Sequence, residues 1–198
     1  MKANRNLFSQ LALNLAEINL GKTKTNPSVG CVIVQNGSVI SSGITSVSGR
    51  PHAEFNALNQ NKNFRDSTMY VTLEPCNHYG LTPPCTNLIT NKKIKKVYYS
   101  INDIDKRVRG KTQKFLKPKN IEVKKGLLQN EIKKFYLPYF FNKEKKLPFV
   151  TGKIAISKNK IIFSKKKKKI TDKYSDKFTH ELRYRNINKF REEDGQSN

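Results

Sequence analysis

Two histidines, two cysteines and two carboxylates fall in two short segments, PHAE at Pro51–Glu54 and LEPCNHYGLTPPC at Leu73–Cys85. A zinc ion that activates water needs about three protein ligands of the imidazole or thiolate type and an open fourth position for the water. His52, Cys76 and Cys85 supply that set. A carboxylate close to the metal, but not bound to it, must then move the proton from the water to the leaving group. Glu54, two residues from His52, is placed to do so. His78, inside the cysteine loop, is expected to pack that loop, because a fourth protein ligand would leave no place for water. Cys31, in the apolar run VGCVIV, reads as small core filler.

The elements around these residues are those of an α/β domain. In NLFSQLALNLAEINL, residues 6–20, Leu7, Leu11, Leu15 and Ile18 recur at spacings of three and four, the mark of an amphipathic helix ending at Gly21. VGCVIV at Val29–Val34, the dipeptide Asn36-Gly37 and SVISSG give a strand, a tight turn and a returning strand. Residues 53–60 read as a short helix, TMYVTL at Thr68–Leu73 as a strand, and KKVYYSI at Lys95–Ile101 as an interior strand. Gln113–Lys117 and Gln129–Phe141 are further helical segments, with IEV at Ile121–Val123 as a short strand between them. The pattern is a three-layer α/β arrangement. A boundary is expected near Asn142–Pro148, followed by FVTGKIAIS at Phe149–Ser157 as a fresh strand. The run Lys165–Lys169 reads as a solvated loop, and REEDGQSN as a disordered tail.

Composition narrows the class. The chain has 198 residues, enough for one domain of ordinary size with a short attachment. No run of about 18 apolar residues is present to cross a bilayer, and the first ten residues lack a secretory pattern, so the reading is cytoplasmic. Three cysteines in such a chain argue for metal or catalysis over a disulfide framework. The net charge of +24 suggests a polyanionic partner at first sight, but residues 1–90 carry only +3 of it. Of the basic residues 31 are Lys and 8 are Arg, whereas nucleic-acid surfaces favour Arg. A nucleic-acid partner is therefore not expected, nor a membrane.

A His-x-Glu before a strand, followed by Pro-Cys and a second Cys, is the signature of zinc deaminases. The two cysteines here are separated by eight residues, NHYGLTPP, where deaminases of nucleic acids and free nucleosides usually have two. With NPSVGCVIV upstream and RVRGK at Arg107–Lys111 downstream, the sequence closely resembles the deaminase half of the bifunctional riboflavin-biosynthesis deaminase/reductase family, over about residues 6–145. The resemblance implies a cytidine-deaminase-like α/β/α domain with a central mixed sheet, spanning residues 1–146. Its implied reaction is hydrolysis of the 2-amino group of 2,5-diamino-6-ribosylamino-4(3H)-pyrimidinone 5′-phosphate, a small-molecule nucleotide, releasing ammonia. It further implies one zinc per chain, held by His52, Cys76 and Cys85, with Glu54 as proton shuttle, and self-association into a homo-oligomer. Asn26 resembles a residue lining the pyrimidine pocket; the alternative is a turn residue ahead of a strand. Arg107, Arg109 and Lys111 are candidates for the substrate phosphate; the alternative is that they are merely solvated.

The family's pattern is broken at two places near the site. Leu81 stands where relatives have Lys or Arg, and Thr45 where many have His. Residues 147–198 resemble a truncated opening of the reductase half, but Ser157-Lys158-Asn159-Lys160 replaces its Ser-Leu-Asp-Gly and Lys169 its Trp. NADPH binding and reductase activity are therefore not expected, whether the chain is a fragment, a truncated gene or a shifted reading frame. Two other readings stay open: a deaminase of tRNA or another polynucleotide, and an inactive zinc-stabilised remnant.

Overall fold

The computed structural model describes residues 2–152, 154, 156, 158, 160 and 171–187. At its centre is a five-stranded sheet of strands β1 (Gly30–Gln35), β2 (Ser38–Ile44), β3 (Thr68–Leu73), β4 (Lys96–Ile101) and β5 (Glu122–Lys125) in the order β2-β1-β3-β4-β5. β1 runs antiparallel to both β2 and β3, while β3, β4 and β5 are parallel, so the sheet is mixed as expected. The β1–β2 hairpin turns at Asn36 and Gly37, both at positive φ (51° and 80°), the conformation that a two-residue hairpin loop demands.

Helices cover both faces. On one, α1 (Lys2–Ile18) packs Ala12, with Phe8 and Leu15, against Val32, Val34, Tyr70 and Tyr98. Of the apolar stripe read from the sequence only Leu15 packs inward: Leu7 is 65% and Ile18 57% exposed, whereas Ala12, Leu13 and Ala16 are buried. Small residues face the sheet because the helix lies close to it. On the other face Cys31, Ile33, Met69, Val71, Val97 and Tyr99 form the main core with residues of α2 (Ala53–Leu58), α3 (Cys85–Asn91) and α4 (Thr112–Leu116). Alternate residues of β1, β3 and β4 thus serve two separate cores, the period of two in action.

α5 (Gln129–Lys145) extends past its expected end at Phe141 and takes up part of the charged stretch read as a boundary. Tyr136 fastens it to the sheet, its buried hydroxyl donating to Ser28 O (2.8 Å) and sharing a hydrogen bond with Thr72 Oγ1 (2.7 Å). The expected strand at Phe149–Ser157 is not formed at any of its described residues. A strand needs a partner ladder, and the described sheet offers none to this segment. A last helix, α6 (Lys173–Ile187), lies further along the chain. The lysine run at 165–169 and the tail REEDGQSN lie outside the described residues, as do Ser157, Asn159 and Lys169. Among the described residues no helix is long and apolar enough to cross a membrane.

Candidate metal centre

α2 is laid against β2 so tightly that residue 43 must be glycine. A Cβ there would come within 2.3 Å of Ala53 O and 2.4 Å of Ala57 N. Ser41 Oγ donates to Ala57 O, and Asn56 Nδ2 donates to Ile44 O (2.7 Å) and Ser46 Oγ (2.9 Å). The start of α2 is thereby fixed in space, and with it His52 at the N-cap and Glu54 in the first turn. His52 makes no side-chain capping bond, which leaves its ring free for other work.

The second half of the site comes from the end of β3. Beyond Leu73 the chain passes through Glu74 and Pro75 to Cys76, whose carbonyl accepts the Thr86 amide (3.1 Å) and whose Sγ accepts the Cys85 amide (3.3 Å). The helix α3, which begins on Cys85, was not read from the sequence. Pro83-Pro84 ahead of it was the available signal, since proline suits a helix start and cannot serve its interior.

These pieces bring His52, Cys76 and Cys85 together, with one ligand atom from each lying within 4.8 Å of the others. His52 Nδ1 is 3.7 Å from Cys76 Sγ and 3.5 Å from Cys85 Sγ. Ligands sharing one tetrahedral zinc at about 2.0–2.3 Å would stand about 3.6 Å apart, so the donor set fits that ion in both chemistry and spacing. His78 is not in the group. Cys31 is fully buried among core residues and likewise stands outside it.

Electrostatics suit the same purpose. The Cys76 thiol is pushed down to about 4, chiefly by hydrogen bonding from Cys85 and also by His52, so it is a thiolate at neutral pH. The Cys85 thiol is pushed up by its hydrogen bond to Cys76 and by burial. His52 is raised, first by its hydrogen bond to Cys76. Glu54 is only 4% exposed, and burial pushes its carboxyl up to about 7, where it can both take and give a proton near neutral pH.

A cleft of about 120 Å³ opens beside the cluster, and His52, Glu54 and Cys76 are in its wall. Asn26 and Arg107 also line it, whereas Arg109 and Lys111 do not. Asn26 serves its turn as well, donating from Nδ2 to Gly49 O (3.0 Å). Arg107 is held by Asp105, with Nε 3.0 Å from each carboxylate oxygen and Nη2 2.5 Å from Oδ2. Thr45 lines the cleft but is committed to the backbone, its Oγ1 accepting the Val29 amide (3.0 Å). Leu81 is 88% exposed.

Four charged lining residues given no role by the sequence reading emerge only from the fold: Arg50, Glu74, Asp103 and Asp105. Glu74 is buried and accepts the amides of Asp103 (3.3 Å), Gly110 (2.9 Å) and Thr112 (3.1 Å). One carboxylate thus clamps the whole loop that presents Arg107. Glu74 was visible beside Pro75-Cys76, but its three partners lie 29 to 38 residues away, and nothing local announces them.

The fold and the clustered ligands define a class. Residues 2–101, which include all four site residues, match the family described as "Cytidine and deoxycytidylate deaminase zinc-binding region". The chain is 42% identical over 138 residues to a diaminohydroxyphosphoribosylamino-pyrimidine deaminase of Buchnera aphidicola, a match covering 69% of this chain and 94% of the relative. It thus belongs to the diaminohydroxyphosphoribosylaminopyrimidine deaminase family. The riboflavin biosynthesis protein RibD of Haemophilus influenzae is 40% identical over 152 residues, which are 76% of this chain and 41% of that protein. A crystal structure of the Thermotoga maritima deaminase/5-amino-6-(5-phosphoribosylamino)uracil reductase superposes with a TM-score of 0.80 at 36% identity, over 91% of this chain and 53% of the other. The chain spans nearly the full length of the Buchnera relative and about half, or less, of these two longer ones.

Proposed function

We propose that the chain is a zinc-dependent hydrolase that removes the 2-amino group of 2,5-diamino-6-ribosylamino-4(3H)-pyrimidinone 5′-phosphate as ammonia. The observation that carries this is the convergence of His52 Nδ1, Cys76 Sγ and Cys85 Sγ within 4.8 Å, next to a buried Glu54. The identity to relatives bearing that activity in their names supports the substrate. In this reading His52, Cys76 and Cys85 hold one zinc per chain, which when bound supplies a water acidic enough to lose a proton near neutral pH. Glu54 takes that proton on its carboxylate and passes it to the ring nitrogen as oxygen adds to the amino-bearing carbon. It then carries the hydroxyl proton to the amine, which leaves as ammonia, and a ring carbonyl remains. Burial keeps the Glu54 proton from being lost to bulk water.

Asn26 and Arg107 are the sequence-derived candidates that this reading retains in the cleft wall, Asn26 as a contact for the ring or ribose and Arg107, whose charge Asp105 already balances, as an auxiliary contact at the substrate's anionic end. Arg109 and Lys111 are solvated neighbours in the same loop. The three free cysteines suit a reducing, cytoplasmic setting. Residues 1–146 form the deaminase part, and residues 147–198 correspond to the opening of the reductase part of the longer relatives. The family likeness supports self-association of the deaminase part.

The test is ammonia release from one preparation offered the diaminopyrimidine nucleotide and, separately, tRNA. Release from the nucleotide alone is expected. Release from tRNA alone would replace this function with deamination of nucleic acid.

A further inference from the structure

The proposed substrate ends in a phosphate dianion, and the cleft that would receive it is rich in carboxylates: Glu54, Glu74, Asp103 and Asp105 all line it. Two arginines share that wall. Arg107 is matched by Asp105, which takes up its Nε and Nη2. Arg50 is different. Among the described residues it forms no ion pair, and its one side-chain hydrogen bond is from Nη1 to the neutral Thr82 Oγ1 (2.9 Å). That bond leaves the other guanidinium donors uncommitted and sets them over the loop between the cysteines: Nη2 lies 3.7 Å from where a Cβ of Gly80 would be. The next residue, Leu81, is exposed and can offer an anion nothing. The chain between Gly49 and His52 is anchored as well, by Asn26 on Gly49 O and by the Ser46 amide on Pro51 O (3.1 Å), so the guanidinium is carried on a fixed stem.

We propose that Arg50 is the specificity-determining residue of this site, binding the substrate's 5′-phosphate through its free guanidinium donors while Thr82 holds the head in position. The inference rests on the function proposed above and deepens it. A planar guanidinium meets two phosphate oxygens at once, which a lysine in the same place cannot do. Loss of a charge-assisted contact of this kind lowers affinity by about ten- to a hundredfold.

The experiment compares the zinc-loaded full chain with Arg50→Gln and Arg50→Lys on two substrates, the nucleotide and its phosphate-free ribosylamino counterpart, with ribose 5-phosphate binding measured by calorimetry alongside. Arg50→Gln is expected to raise KM for the nucleotide by about ten- to a hundredfold, with a much smaller change in kcat, and to leave KM for the phosphate-free compound as it was. Arg50→Lys recovers part of the loss, and Leu81→Lys added to Arg50→Gln recovers more. Unchanged KM for the nucleotide, or an equal rise for both compounds, overturns the proposal and leaves Arg50 as a brace for the cysteine loop. If the unaltered chain deaminates neither compound, the function above falls by itself. The phosphate site is then still decided by calorimetry: binding of ribose 5-phosphate that disappears in Arg50→Gln upholds it, and equal binding rejects it.

Discussion

A thiol becomes a metal ligand by losing its proton, and the three cysteines of this chain differ sharply in readiness to do so. Cys76, partly accessible, is held as a thiolate by Cys85 and His52; Cys31 is buried in β1 with its thiol pushed up by desolvation. In metal-free protein at pH 7, iodoacetamide should modify Cys76 well before Cys31 and Cys85, and added zinc should protect it. Peptide mass spectrometry reads the order, and modification of Cys31 first would contradict it. Asp105 provides a pH test. Arg107 pulls its carboxyl down to about 2, so the pair's contribution to stability is full above the ordinary aspartate range near 3.9, shrinks as pH falls below it and is gone once pH has passed through about 2. A carbon-detected titration should find Asp105 near that value, and Arg107→Gln should move it upward toward 4. No movement would mean that Arg107 is not its partner in solution.

At the scale of elements, the site depends on how closely α2 can approach β2 and on how firmly the 102–112 loop is tied down. Gly43→Val should drive α2 from the sheet, destabilising the fold by about 1–3 kcal/mol or more and weakening zinc binding, because His52 and Glu54 ride on that helix. Thermal melts and zinc titration check this; a variant matching the parent in both would show that the helix has room. Glu74→Gln keeps the size but loses the charge and part of the accepting capacity that fix Gly110 and Thr112. Faster amide exchange at those two residues is expected, with KM for the nucleotide raised more than kcat is lowered.

Most of these elements were legible. Continuous apolar runs gave β1, β3 and β4 because each buries both faces under helices, and Asn36-Gly37 gave the hairpin and with it the half-exposed β2. α3 was harder to read, since CTNLITN is rich in Thr, Asn and Ile, which are poor helix formers, and only Pro83-Pro84 marked its start. The α1 stripe misled because apolar spacing alone does not say which face a helix turns inward. His52, Glu54, Cys76 and Cys85 could be read because metal chemistry restricts residue types, whereas Arg50 and Glu74 act through contacts that only the closed fold creates.

For the molecule as a whole, every cleft residue lies between Asn26 and Tyr139, and α5 ends at Lys145. A chain cut after Lys146 should therefore keep its zinc and most of its deaminase activity, and loss of either would make residues 147–198 part of the working domain. Most of the net charge of +24 falls beyond residue 90, and of the basic residues only Arg50 and Arg107 line this cleft among the described residues. The chemistry proposed turns on one divalent ion and one proton carrier that does not bind it. The most direct measurement is zinc content together with ammonia release for the parent chain and for Glu54→Gln on the diaminopyrimidine nucleotide. Both proteins should hold about one zinc, and the variant should lose at least about 10²–10⁴-fold in turnover. Turnover that survives in Glu54→Gln, or a parent chain that deaminates the nucleotide without holding zinc, would contradict the account.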